Sequence, residues 1–140
     1  MKAKEYLLQY KRMKMKLASL EADIEATREE REQINADLNG LPRGSAISDR
    51  TGNLATALAD MEMELVNTRE ETLAICRDVI NTINQIEDQT LARLLHLRYI
   101  ELKTWNQIAD EMYFSSRWVY GALHSAALKE VEQILVQKNY

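Results

Sequence analysis

The sequence predicts an all-α protein built from a long antiparallel coiled-coil hairpin and a C-terminal domain of three short helices. Its 140 residues include one proline and four glycines, so few positions interrupt a helix. Apolar residues recur at alternating spacings of four and three before about residue 87. Beyond that point the chain carries the start signals of short helices.

Composition narrows the class further. Charged residues make up 29% of the chain, hydrophobic residues 46%, and the net charge is −4, which is typical of a folded chain. No apolar run approaches the ~18 residues of a membrane span, and the N-terminus lacks the apolar core of a signal peptide. Because Cys76 is the only cysteine in the sequence, a disulfide framework and a cysteine-based zinc site are excluded. We therefore expect a cytoplasmic protein with no membrane partner.

Two heptad seams define the hairpin, residues 1–87. The first seam comprises Tyr6, Tyr10, Met13, Leu17, Leu20, Ile24, Thr27, Arg31, Ile34 and Leu38. The second comprises Leu54, Leu58, Met61, Leu65, Thr68, Thr72, Ile75, Val79, Thr82 and Ile86. Each extends for about 48 Å of helix, and equal lengths joined by a short linker are what an antiparallel hairpin requires. Polar seam positions are interpreted as fixing register.

The linker, residues 39–53, separates the two helices. It holds the only proline, Pro42, which cannot continue a helix, and it places Gly40 at a C-cap position. We predict that the second helix begins at Ser48 or Asp49.

The start of the first helix is basic. Residues 1–16 contain six lysines and arginines against one acid, Glu5. In an antiparallel hairpin this basic tip faces Glu70, Glu71, Asp78 and Glu87, so we interpret it as the partner of an acidic helix. The alternative is contact with phosphate or a membrane surface.

Residues 88–140 begin with two capping signals. Asp88 is a good N-cap for a helix over about 89–101. Thr104 and Gln107 have the spacing of a capping box, which opens a second, short helix.

A turn at Tyr113 and Phe114 then leads to Ser115, which can cap a last helix running to about Gln137. Two short helices joined by a tight turn, the second with a polar N-terminal face, make a helix-turn-helix. We expect most of the aromatic residues near the turn to be core, because so small a domain has little else to bury. These residues are Trp105, Tyr113, Phe114 and Trp118.

The same region carries a longer motif. Its residues are Leu94, Leu95, Leu97, Arg98, Tyr99, Ile100, Glu101, Lys103, Thr104, Trp105, Ile108, Ala109, Glu111, Met112, Phe114, Ser115, Val119, Leu123 and His124. This motif resembles region four of bacterial sigma factors. Residues 42–55 resemble a second signature, found in small proteins of Gram-positive phages and prophages, the sigma-like or ArpU/RinA-type late-gene transcriptional regulators. The resemblance covers most of the chain.

The resemblance implies that the last helix enters the major groove of DNA, while the preceding helix lies on the backbone. The implied base-facing candidates are Ser116, Arg117, Tyr120, Gly121, His124 and Ser125. The implied phosphate candidates are Thr104, Asn106, Ser115 and Lys129. Among them only Arg117 can bind guanine O6 and N7 in bidentate fashion.

The last helix is less basic than the family pattern, since only Arg117 and Lys129 are positively charged. Few phosphate contacts predict weak DNA binding by a monomer, and a homodimer would supply a second half-site. An apolar stripe at Leu128, Val131, Ile134 and Leu135 suggests a further packing surface, on the hairpin or on a second subunit.

Catalysis has no support in the sequence. His96 and His124 lie on different helices without the spacing of a metal site. We therefore predict no enzyme, no metal and no cofactor. The predicted function is that of a phage-derived DNA-binding transcriptional regulator, with promoter or operator DNA and RNA polymerase as partners. The alternative is a non-enzymatic adaptor that binds RNA polymerase or another host protein through the coiled coil and the trihelical module, without DNA contact.

Overall fold

A computed structural model describes residues 2–37 and 45–138, apart from the side chains of 45–49 and 51. Throughout these ranges the secondary structure is helical, with no strand, so the all-α prediction is confirmed. No helix in them is long and apolar enough to cross a membrane. The predicted roles of Gly40 and Pro42 fall outside the described residues.

Five helices make up this part of the chain. The first two are α1, Ala3–Asp37, and α2, Ser45–Asn84. Helix α3 begins as the α-helix Gln89–Leu95 and ends in the π-helical turn His96–Ile100, and α4 is Trp105–Met112. Helix α5 begins at Ser116–Trp118, passes through the π-helical turn Val119–Leu123 and continues as His124–Gln137.

Helix α2 begins at Ser45, earlier than the predicted Ser48 or Asp49. The second half of the predicted linker, residues 45–53, is therefore helical. Gly52 is the only residue in that stretch with a strong penalty against helix, about 1 kcal/mol, and one such residue does not stop a helix of this length.

The predicted N-caps are confirmed. Asp88 accepts hydrogen bonds from the backbone N–H groups of Thr90, at 2.9 Å, and of Leu91. Thr104 and Gln107 form the complete capping box at the start of α4.

The turn between α4 and α5 also lies where the sequence predicts it. Tyr113 ends α4 in the left-handed region, with φ of 58°, which costs a residue other than glycine about 1–2 kcal/mol. Ser115 Oγ accepts from the backbone N–H of Trp118 at 3.2 Å and so starts α5. The local hydrogen bonds therefore fix where both helices begin.

Two compact units divide the chain. One, called here the terminal unit, comprises Met1–Met13 and Thr72–Tyr140, and the other, the two-helix unit, comprises Lys14–Glu71. The boundary predicted between residues 87 and 88 lies inside the terminal unit. The reason is that the ends of α1 and α2 contribute to the same buried core as α3, α4 and α5.

In the two-helix unit, the predicted seams are the sides withdrawn from solvent. Between residues 14 and 37, the buried or half-buried positions of α1 are the six predicted seam positions and no others. Leu20 and Ile24 form a buried cluster with Leu58 of α2. The Thr27 hydroxyl points to Met61 Sδ at 3.6 Å, so facing seam residues meet.

Ion pairs show that the two helices of this unit run in opposite directions. Arg28 pairs with Glu62 at 2.8 Å, and Arg69, further along α2, pairs with Glu21, earlier in α1, at 3.5 Å. These side chains are about half exposed, so each pair contributes at most about 1 kcal/mol.

Aliphatic side chains fill the core of the terminal unit. The residues withdrawn almost completely from solvent are Leu7, Val79, Ile83, Leu94, Leu95, Leu97, Ile108, Val119, Val131 and Leu135. Of the predicted apolar stripe, Val131, Ile134 and Leu135 are thus buried within the chain, and Leu128 is half-buried against the same core. The stripe packs on the chain itself and no longer indicates a second subunit.

The prediction that the aromatic residues near the turn are mostly core is wrong. Tyr113 is 94% exposed, Trp118 50% and Phe114 42%, and only Trp105 is half-buried. Aliphatic residues from α1 and α2 supply the apolar surface that the C-terminal helices alone lack, so the aromatic rings are not needed to fill the core.

Candidate functional site

The ten residues implied as DNA contacts fall into three environments. Eight are exposed, namely Thr104, Asn106, Ser115, Ser116, Arg117, Tyr120, Ser125 and Lys129. Gly121 is half-buried, and His124 is buried.

The first turn of α5 presents a polar surface. Ser116 Oγ donates a hydrogen bond to Asn106 Oδ1 at 2.9 Å, which joins an implied base-facing residue to an implied phosphate-binding residue on α4. Arg117, next along the chain, is exposed and has no ion pair to any described residue. Its guanidinium is therefore available to a partner.

Gly121 lies one turn further along α5. A Cβ atom built at this position meets nothing within 4 Å, so packing within the chain does not require glycine here. Since glycine weakens a helix by about 1 kcal/mol relative to alanine, Gly121 carries a local cost and leaves the backbone of α5 open to close approach from outside.

His124 occupies a different position from the one implied by the resemblance. Its side chain is buried, Nε2 lies 2.7 Å from the Tyr99 hydroxyl, and the Trp105 ring packs edge-on with centroids 4.7 Å apart. Burial, together with the positive charges of Lys4 and Arg98, lowers the pKa of His124 to about 4. A neutral ring in this place is hydrogen-bonded to the Tyr99 hydroxyl and acts as a core residue.

The π-helical turn at residues 119–123 explains the difference. A π turn adds one residue to a helix, and each residue rotates the helix by about 100°. Positions after the turn therefore present a different side from the one that an unbroken α-helix would give them. His124, the first residue after the turn, points into the unit.

A groove of about 580 Å³ runs alongside α5 within the terminal unit. Four of the implied DNA contacts line it: Tyr120, Gly121, Ser125 and the buried His124. Three cationic side chains line it as well, Lys4 and Lys11 from α1 and Arg98 from α3, and none of its lining residues is acidic.

The floor of this groove is ordered by aromatic and cationic contacts. The Arg98 guanidinium lies 4.4 Å from the centroid of the Trp105 ring, and its Nη1 donates to the Lys103 carbonyl oxygen at 2.9 Å. The Tyr120 ring meets Trp105 edge-on at 5.3 Å. Arg98 is thus held in one place by two neighbours.

Sequence reasoning missed Lys4, Lys11 and Arg98 as candidates. Arg98 lies within the sigma-like motif, but nothing in its spacing indicates where its side chain points. The basic excess over residues 1–16 was the available signal for the two lysines, and phosphate contact was the less favoured interpretation of it.

An exposed charge network holds the connection between α3 and α4. Glu101 accepts a hydrogen bond from His96 Nδ1 at 3.0 Å and lies near Lys103, while Lys103 also pairs with Glu111. The bond from His96 is the main cause that holds the pKa of Glu101 below its usual value, and the charges of Lys103 and Arg93 act the same way. This network stabilises the segment that positions Thr104.

The described residues contain no cluster of three or more histidine, cysteine, aspartate or glutamate side chains able to hold a metal ion. Cys76 is half-buried and carries no disulfide. Comparisons with models of protein families, with curated proteins and with solved structures find no match to this chain.

Proposed function

We propose that this chain is a phage-derived transcriptional regulator that binds double-stranded promoter or operator DNA. In this proposal α4 and α5 act as a sigma-region-four-like helix-turn-helix, carried on an antiparallel coiled-coil hairpin. The phage origin and the sigma-like role rest on the resemblance of residues 94–124 and 42–55.

The observation that carries the proposal is the exposed polar start of α5. Recognition helices read base edges mainly with their N-terminal residues. Ser116, Arg117 and Tyr120 are all exposed there, next to Asn106 of α4. Arg117 is the residue we expect to read guanine, because it offers two parallel N–H donors to O6 and N7.

The backbone contacts in this proposal come from both helices. Thr104 and Ser115 stand at helix N-termini, where backbone N–H groups and the helix dipole favour a phosphate. Lys129 adds a charge further along α5. These contacts set register and affinity without carrying sequence information.

Selection from a pool of randomised duplexes, followed by fluorescence anisotropy on the selected duplex at low salt, tests the proposal. Arg117→Ala should cost about 1–3 kcal/mol on the selected duplex and relax the preference at one base pair. Arg77→Ala, which removes an exposed arginine of α2 in the same unit, is the matched control. Equal behaviour of the two variants would show that Arg117 reads no base.

The adaptor function remains the second candidate, favoured by the exposed aromatic residues Tyr113, Phe114 and Trp118. Exposed Tyr, Phe and Trp side chains are enriched in protein–protein interfaces. Capture of purified RNA polymerase on the immobilised chain separates the two functions. Capture that survives nuclease and high salt, and that Trp118→Ala abolishes, supports the adaptor, whereas capture that requires DNA supports the regulator.

A further inference from the structure

The groove beside α5 supplies the positive charge that the recognition helix lacks. Helix α5 itself carries only Arg117 and Lys129 on the surface proposed to meet DNA. Lys4 and Lys11 reach the same surface from α1, more than a hundred positions away in sequence, and lie around the groove shared with Tyr120 and Ser125.

We propose that this groove binds the sugar–phosphate backbone of one strand of duplex DNA, with Lys4 and Lys11 as its phosphate ligands. The inference rests on the proposed function and deepens it, because it makes the N-terminal helix part of the DNA interface.

Charge is the first argument for this assignment. The chain as a whole has a net charge of −4, yet the groove is lined by three cations and no acid. Neither Lys4 nor Lys11 forms an ion pair with any described residue. The lysines are thus available to an outside anion, and no carboxylate lines the groove.

The position of Lys4, which lines the groove together with His124, is the second argument. The charges of Lys4 and Arg98 both act on the pKa of His124, which lies in the floor of the groove. Lys4 is therefore close enough to this floor for its field to be felt there. Arg98 is fixed by Trp105 and the Lys103 carbonyl oxygen, so it contributes a constant charge rather than a mobile ligand.

Spacing is the third argument. Lys4 and Lys11 are seven residues apart, two turns of α1, which places them on the same side of the helix about 10 Å apart along its axis. One DNA strand carries a phosphate for about every 3.4 Å of duplex axis. Two lysines at this separation meet different phosphates of one strand, while Gly121 leaves room for the backbone to approach α5.

Salt dependence of binding provides the test. Each phosphate contact contributes about −0.9 to the slope of log affinity against log salt. The double variant Lys4→Gln/Lys11→Gln should make the slope shallower by about 2 and lower affinity about 60-fold near 0.1 M salt. The loss should be equal on the selected duplex and on an unrelated duplex, because phosphate contacts carry no sequence information.

Two further variants complete the design. Lys2→Gln/Lys16→Gln removes two exposed lysines of the same N-terminal region that do not line the groove, and it should leave the slope within about 0.5 of the starting value. Lys4→Arg/Lys11→Arg keeps both charges and should retain binding. Circular dichroism melts of all variants check that the fold is kept.

A Trp118→Phe background leaves Trp105, which lines the groove, as the sole tryptophan. Quenching of its fluorescence by duplex, absent in the Lys4→Gln/Lys11→Gln variant, supports the inference.

Each other outcome overturns something specific. Duplex binding by the starting protein with an unchanged slope in Lys4→Gln/Lys11→Gln overturns the groove and leaves the proposed function standing. An equal change in the Lys2→Gln/Lys16→Gln control also overturns the groove, because the effect then follows net charge alone. Absence of duplex binding by the starting protein overturns both, and tighter binding to single-stranded DNA overturns the duplex assignment.

Discussion

Acid should destabilise the terminal unit through His124. The buried ring has a pKa of about 4, against an ordinary value of 6.5, chiefly because burial disfavours its charged form. The groups that face it are Lys4 of α1, Arg98 and Tyr99 of α3, Trp105 of α4 and Tyr120 of α5, and none of these is a carboxylic acid able to neutralise an imidazolium.

The sign and size of the effect follow from proton linkage. The unfolded chain binds a proton near pH 6.5, while the folded chain resists protonation until about pH 4. The contribution of the neutral ring is therefore complete above about pH 6.5 and is lost as the pH falls towards 4. At about 1.4 kcal/mol per pKa unit, the total loss is about 3 kcal/mol, of which about 2 kcal/mol falls between about pH 7 and about pH 5.

Guanidinium unfolding at a series of pH values, followed by circular dichroism, measures this loss. The carboxylates titrate in both the starting protein and a His124→Gln variant, so the difference between their two pH profiles isolates the imidazole. Between about pH 7 and about pH 5, we expect the free energy of unfolding of His124→Gln to fall by about 2 kcal/mol less than that of the starting protein. Parallel profiles, or a His124 ring that titrates near 6.5 by NMR, would refute the reasoning.

Four other outcomes are expected. Gly121→Ala should raise the free energy of unfolding by about 0.5–1 kcal/mol, since the site is open, while weakening DNA binding; destabilisation in denaturant would contradict this. Tyr6→Phe should cost about 1–3 kcal/mol, because the buried hydroxyl lies 2.8 Å from Thr82 Oγ1 and also contacts Asp78; an unchanged denaturation midpoint would count against it. Ser115→Ala should cost about 1 kcal/mol through the lost N-cap, again measured by denaturation, with no cost if the cap contributes nothing. The predicted homodimer now rests only on the need for a second half-site. Light scattering should give it a mass of about twice 16.2 kDa, and a mass near 16.2 kDa would exclude it.

Features that depend on local spacing were predictable from the sequence. The heptad pattern identified the side of α1 withdrawn from solvent, including Leu20 and Ile24, because helical periodicity alone decides which residues share a side. Capping depends on residues three positions apart, so Thr104 and Gln107 were sufficient to place the start of α4.

Features that depend on distant residues were not predictable. The burial of His124 requires a hydroxyl from Tyr99 and a π turn, and neither leaves a periodic signal in the sequence. The groove requires Lys4 to lie beside Arg98, a contact set by tertiary packing of α1. Trp118 is exposed because aliphatic residues from the ends of α1 and α2 fill the core in its place. The motif at residues 94–124 carries no information about those residues.

The terminal unit can finish folding only late in synthesis, because it joins two segments that are far apart in the sequence. Its first segment, Met1–Met13, is synthesised long before its partners in Thr72–Tyr140. Tyr6 and Leu7 therefore remain without their final burial until the helix containing Val131 and Leu135 has left the exit tunnel. Contacts between the two extremes of a chain carry the largest loop-closure cost and form late. We therefore expect a nascent chain truncated before α5 to expose the apolar end of α1 and to bind chaperones.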